Sequence, residues 1–160
     1  MAEELSDDLI AFVESGVSIQ VGTRDSTLVP EALRAVGARV SAERSEIFVY
    51  VPHATSARTL ANLRDNGRIA VCFSRVEDHR TIQVKGRVLE LEPAQDAERE
   101  RIDAYRAEFA GNLAFVGLPP RLSFRISSWP CHRVRFAVET IWVQTPGPGA
   151  GDPLRARSTS

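Results

Sequence analysis

The stretch Ile47-Phe48-Val49-Tyr50-Val51-Pro52-His53-Ala54-Thr55-Ser56-Ala57-Arg58-Thr59-Leu60-Ala61-Asn62-Leu63-Arg64-Asp65-Asn66-Gly67 decides the fold. Its first five residues are a continuous β-favouring run, closed by Pro52 and His53. From Thr55 the pattern becomes helical. Thr55 or Ser56 supplies an N-cap, Leu60 and Leu63 share one edge, and Asn66-Gly67 ends the helix.

On the C-terminal side, Arg68–Arg75 and Arg80–Leu91 read as two strands joined by a polar loop at 76–79. Ile82, Val84 and Val88 share one parity and Leu89 and Leu91 the other, so a bulge is expected near Gly86-Arg87. Pro93 is suited to opening a surface helix, along which Ala94, Ile102, Tyr105 and Phe109 form a stripe. Residues 110–130 are irregular. The last strand places Val134, Phe136, Val138 and Trp142 on one face and Arg133, Arg135, Glu139 and Val143 on the other.

On the N-terminal side, Ser6 caps a first helix with Asp7 and Asp8 in its opening turn, and Gly16 stands where it would end. Residues 17–23 alternate apolar and polar, the mark of a half-buried strand. After a turn at Arg24-Asp25-Ser26, residues 27–41 return as a second strand. Pro30 and Gly37 interrupt it, which makes it an edge or bulged strand. Six strands, mostly joined by turns, imply a mainly β (α+β) fold: a small antiparallel barrel with peripheral helices. A parallel sheet would need longer crossovers.

The 160 residues suffice for one domain, assigned to 1–145. The Pro/Gly-rich remainder, 146–160, reads as a flexible tail or an arm lying across a partner. A net charge of −1 argues against a nucleic-acid or anionic-membrane partner. No apolar run reaches the roughly 18 residues of a membrane span. The acidic start lacks the features of a signal peptide, so a cytoplasmic location is expected. Cys72 and Cys131 read as buried small hydrophobes.

The chemistry concentrates at the helix start. Its free N–H groups and partial positive charge, the hydroxyls of Ser56 and Thr59, and the guanidinium of Arg58 form a receptor for a phosphate. The same residues also read as a plain N-cap beside a solvated arginine. Arg34 and Arg39 are either surface residues or donors to a phosphate or a flavin edge, and Trp142 is either core or a cover for a flavin ring. His53, His79 and His132 lack metal-ligand spacing, and no metal site is expected. Neither a nucleophile motif nor a Gly-x-Gly-x-x-Gly turn is present, and no catalytic residue is assigned.

The run Ile47–Val51, then Ser56-x-Arg58-Thr59-x-x-Asn62-Leu63-x-x-Asn66-Gly67-Arg68-Ile69-Ala70-Val71, then Thr81–Leu91, resembles the pyridoxamine 5′-phosphate oxidase family. The resemblance implies a split β-barrel that binds FMN, usually a homodimer with flavin at the interface, acting on a small-molecule substrate. It places Arg58 and Thr59 at the phosphate, with Thr59 where the family has lysine, and gives Arg34 and Arg39 the family's Arg-x-x-x-x-Lys spacing. Pro52 and His53 fall beside the flavin ring, Thr81 where a glutamine often reaches the flavin, and Trp142 near a late aromatic. The family's Arg-x-His segment for pyridoxine phosphate is missing, so that substrate is not expected. The deazaflavin F420 is the alternative cofactor. A protein storing flavin or haem without turnover is a further alternative, with His53 or His132 as axial ligand.

Overall fold

The computed structural model describes residues 4–154. Helix α1 (Asp7–Glu14) leads into strands β1 (Ser18–Arg24), β2 (Pro30–Arg34), β3 (Ala38–Val40) and β4 (Glu46–Pro52). Helix α2 (Ala57–Asn66) follows, then β5 (Arg68–Ser74) and β6 (Thr81–Pro93). Helices α3 (Arg99–Phe115) and α4 (Pro120–Ser123) precede the final strand, β7 (Cys131–Val143). All strand pairs are antiparallel, in the order β2-β1-β5-β6-β7-β4-β3.

The sheet has seven strands, one more than the pattern predicts, because the irregular second strand divides at Ala35-Val36-Gly37. There the chain crosses from one sheet margin to the other. The Ala35 amide donates to the Ile19 carbonyl of β1 at 3.0 Å, and the Val36 amide to the Tyr50 carbonyl of β4 at 2.8 Å. Gly37 adopts φ +151°, a conformation that side chains rarely take. β2 and β3 are thus one stretch of chain whose corner closes the barrel.

The interior is filled by Ile19, Val21, Val49, Val51, Val71, Phe73, Val84, Val134 and Phe136, each fully or almost fully buried. β6 shifts register at Lys85/Gly86 and again at Val88/Glu90, which accounts for the parity change in the sequence. A Cβ at Gly86 would lie 2.0 Å from the Ala137 carbonyl oxygen, so only glycine fits.

α1 begins as expected, with Ser6 Oγ accepting from the Leu9 amide at 3.3 Å. It ends at Ser15, one residue before Gly16. Gly16 serves a close approach instead: a Cβ there would meet Glu108 and the Phe109 amide at 2.7 Å. Asn112 Nδ2 donates to the Gly16 carbonyl (2.9 Å) and the Tyr105 hydroxyl to that of Val17 (2.7 Å), fastening α3 across one end of the barrel. Pro93 closes β6 and does not open α3. The turn into α3 starts at Gln95, whose amide donates to Glu98 Oε2 at 2.9 Å. Cys131 is buried as expected, and burial pushes its thiol up to about 12, whereas Cys72 is half-buried.

Residues 146–154 turn back along β7 and do not leave it as a tail. Val143 exchanges two backbone hydrogen bonds with this segment, its amide donating to the Asp152 carbonyl (2.9 Å) and its carbonyl accepting from the Gly151 amide (2.7 Å), and the Leu154 amide donates to the Ile141 carbonyl at 2.8 Å. The reason is local. β4 covers β7 only up to Ala137, so the outer half of β7 would otherwise keep unpaired backbone groups. Leu154 packs against the core, and the glycines of this stretch shape a turn. Arg155, Arg157 and the rest of 155–160 lie outside the described residues. Among those described, no helix is long and apolar enough to cross a membrane.

Candidate functional site

The site is built where β4 hands over to α2. Pro52 ends the strand, His53–Thr55 form a single 3-10 turn, and Ser56 precedes the helix with φ −100° and ψ 1°. That backbone lets the Ser56 carbonyl accept from Leu60 at 2.8 Å but leaves its side chain without a capping bond. Ser56 and Thr59 are fully buried, and neither hydroxyl has a hydrogen-bond partner. A buried hydroxyl left unpaired costs about 1–3 kcal/mol, so two in one helical turn need a physical reason.

The helix cannot drift from this place. Asn62 Nδ2 donates to Thr23 Oγ1 (3.0 Å) and Asn66 Nδ2 to the Arg24 carbonyl (2.8 Å), tying both turns to β1. Gly67 then reverses the chain in the left-handed region, at φ +66°. Arg58 stays exposed, with its Nη1 3.4 Å from Glu31 Oε2 on β2. Asp25 is held below the usual carboxylate range by the Thr27 hydroxyl first and the Val29 amide next, with the charge of Arg58 adding to the effect.

Beside the turn lies a cleft of about 340 Å³, lined by Glu31, Leu33, Arg34, Pro52, Thr55 and Ser127 among others. Glu31 also borders a broader cleft of about 700 Å³ that runs over β1, β5 and β6 past Arg24, Arg68 and Lys85. The larger is an open groove over a strand surface and the smaller abuts the helix start.

Of the residues singled out from sequence, Ser56, Arg58 and Thr59 share the helix start, and Pro52 and Arg34 line the cleft next to it. The head of Arg34 turns away, donating to Ser18 Oγ at 2.9 Å and lying 5.3 Å over the Phe109 ring. Arg39 is not with them. It sits on β3 opposite Phe48, its guanidinium 3.9 Å over that ring. His53 stacks on His132, ring centroids 5.3 Å apart and planes 25° apart.

Thr81 and Trp142 form a second group. The Thr81 hydroxyl bonds Ser74 Oγ (2.7 Å) and its amide donates to Thr145 Oγ1 (3.0 Å), while Trp142 Nε1 donates to Thr140 Oγ1 at 3.0 Å. Pro52 pairs with Cys131 at the start of β7, and Trp142 lies eleven residues further along the strand. That is roughly 35 Å of extended chain. One copy of the chain does not bring the two groups together.

Three residues beside the helix start had no role assigned from sequence: Glu31, Thr23 and Asn62. Asn62 lies one helical turn after Thr59, which is a usable signal. Glu31 and Thr23 reach α2 only through β1–β2 pairing, which local pattern does not show.

No protein-family model matches the chain, and no curated protein matches it. Solved structures do. HupZ of Group A Streptococcus is similar over 92% of this chain and 99% of its own, at 17% identity and TM-score 0.56. A candidate pyridoxamine 5′-phosphate oxidase from Lactobacillus delbrueckii is similar over 88% and 94%, at 13% identity and TM-score 0.56. An F420 reductase matches over 86% and 98%, at 12% identity and TM-score 0.56. At such identities the likeness speaks for architecture alone. The chain has the split-barrel fold of the pyridoxamine 5′-phosphate oxidase-like proteins.

Proposed function

We propose that this chain binds FMN through its phosphate at the start of α2 and works as a cytosolic, homodimeric flavin-dependent oxidoreductase on a small molecule. One observation carries the reading: Ser56 and Thr59 keep two fully buried, unpartnered hydroxyls in the same turn that offers free helix N–H groups and Arg58. A phosphate satisfies those groups at once, and each charge-assisted bond is worth about 1.5–3 kcal/mol. The residues present therefore fit the group.

FMN would supply hydride acceptance, and the protein would bind and orient it. Arg58 and the first-turn amides would hold the phosphate, and the cleft along Pro52, Thr55 and Arg34 would receive the rest of the molecule. The distance of Thr81 and Trp142 from α2 within one chain supports a dimer, in which the two ends of the barrel come from different copies. F420 is the second reading. It is favoured by the structural likeness to an F420 reductase and by the same phosphate receptor.

The test is the visible absorption spectrum of purified protein supplied with each cofactor. A flavin or deazaflavin band that Arg58→Ala loses, with circular dichroism unchanged, is the expected result. Uptake of neither cofactor, or a Soret band in their place, overturns the reading.

A further inference from the structure

Eight large apolar side chains stand exposed among the described residues, and five of them fall between positions 115 and 124. Phe115 is 75% exposed and Phe124 49%, with Val116, Leu118 and Leu122 close behind. The segment is a built tip. α3 ends in a tight turn, where the Gly117 amide donates to the Ala114 carbonyl and the Leu118 amide to that of Leu113, both at 3.0 Å. Arg106 Nη2 fastens α4 to α3 through the Phe124 carbonyl at 3.2 Å. Leu113 and Ile126 pack against the core, while every residue from Ala114 to Leu122 is exposed. The outward side chains present on the order of 500 Å² of apolar surface, the size of patch that on a monomer is often functional.

The charge around this tip has one sign. No acidic residue lies between Glu108 and Glu139. Glu108 stands seven residues before Phe115 on α3, about 10 Å away along the axis. Arg133 and Arg135 are taken up by Glu46, Glu90, Glu92 and Glu98, whereas the exposed Arg121 and Arg125 pair with no carboxylate among the described residues. The net charge of −1 sums over the whole chain and conceals this separation.

We infer that the α3–α4 tip docks on an anionic lipid surface, with Phe115 and Leu118 entering the acyl boundary and Arg121 and Arg125 held at the headgroups. Peripheral membrane contacts divide in this way, apolar groups going shallowly in and guanidiniums staying at the phosphates. A second copy meeting the same tip would set four arginines together with no carboxylate between them. The patch also falls short of the roughly 800 Å² per partner that a stable protein interface buries. The contact is independent of the flavin reading, because Phe115, Leu118, Arg121 and Arg125 line neither cleft beside α2.

The experiment is co-sedimentation of the full chain with phosphatidylcholine vesicles, alone or carrying roughly 30% phosphatidylglycerol, in about 0.1 M salt. The wild type is expected to partition onto the anionic vesicles roughly tenfold or more above the neutral ones, the weight of two arginines near the surface. Arg121→Gln with Arg125→Gln should abolish that preference. Phe115→Ser with Leu118→Ser should lower partitioning onto the anionic vesicles roughly tenfold. All four positions are exposed, so circular dichroism should stay unchanged in both variants. A wild type that remains in the supernatant, or partitions equally onto both vesicles, overturns the inference. So does a serine variant that partitions like the wild type. If the serine variant instead sediments more slowly than the wild type without lipid, the tip is a contact between copies and the lipid assignment falls.

Discussion

His53 and His132 stack at 5.3 Å between ring centroids, joining the turn before α2 to the first residues of β7. Burial holds His132 below its usual value of 6.5, and the charges of His53 and Arg64 add to the effect. The folded chain thus resists a proton that the unfolded chain accepts. Stability from this source is complete above 6.5 and is lost as pH falls below it. The melting temperature should drop between about pH 8 and pH 5.5, and His132→Gln should make that drop smaller. Equal slopes in the two proteins would show that the stack does not titrate with folding.

Arg133 holds three carboxylates together: Glu90 at 2.6 Å, Glu92 at 3.0 Å and Glu98 at 3.3 Å. The Tyr50 hydroxyl also donates to Glu98, at 2.9 Å. Glu90 is held low mainly by Arg133. For Glu98, burial pushes upward, and the Gln95 amide, Tyr50 and Arg133 outweigh it. Their contribution is therefore present above 4.5 and disappears as pH falls beneath it. Arg133→Met should lose about 1–2 kcal/mol in urea unfolding at neutral pH, because it leaves the half-buried Glu90 and Glu98 without their guanidinium partner. The same variant should unfold with a flatter pH dependence in acid than the wild type.

Gly86→Ala should destabilise the barrel by about 3 kcal/mol or prevent folding, since the new methyl group has no room. The obstruction is the Ala137 carbonyl oxygen at 2.0 Å and the Phe136 ring at 2.7 Å, and neither can withdraw without breaking the β6–β7 ladder. Gly111→Ala, with nothing within 4 Å, is the matched control and should raise helix stability slightly. Thermal unfolding of the pair checks both.

Thr59→Val replaces an unpartnered buried hydroxyl with a methyl of the same shape. The ligand-free protein should gain about 1 kcal/mol of stability. FMN affinity, read by fluorescence quenching, should fall roughly tenfold, the value of one lost hydrogen bond to a charged group. A variant that is more stable and binds as before would mean that the hydroxyl is not aimed at the ligand.

Much of the architecture was legible where side-chain period was regular. Ile47–Val51, Arg68–Ser74 and the alternation after Arg133 gave their strands, and Gly86 announced its bulge by the parity change around it. What stayed hidden depended on distant partners. The corner at Ala35–Gly37 looks like a broken strand until β1 and β4 are both present to receive it. Pro93 signals a helix start but is the last residue of a strand whose partner, His132, lies 39 positions later. The stretch after Thr145 has the composition of a loose tail, yet uncovered backbone on β7 holds it. The position of Ser56, Arg58 and Thr59 at the start of α2 was readable from helix-end signals alone. Glu31 was not, because its approach to Arg58 is made by tertiary pairing.

The corner at Gly37 has a mechanical result. An open sheet comes apart from its borders inward, one outer strand peeling while the middle holds. Here both borders are the same ribbon of chain, pinned to Ile19 on one side and Tyr50 on the other. Peeling either one pulls on its twin, so the molecule has no frayed hem from which to unravel.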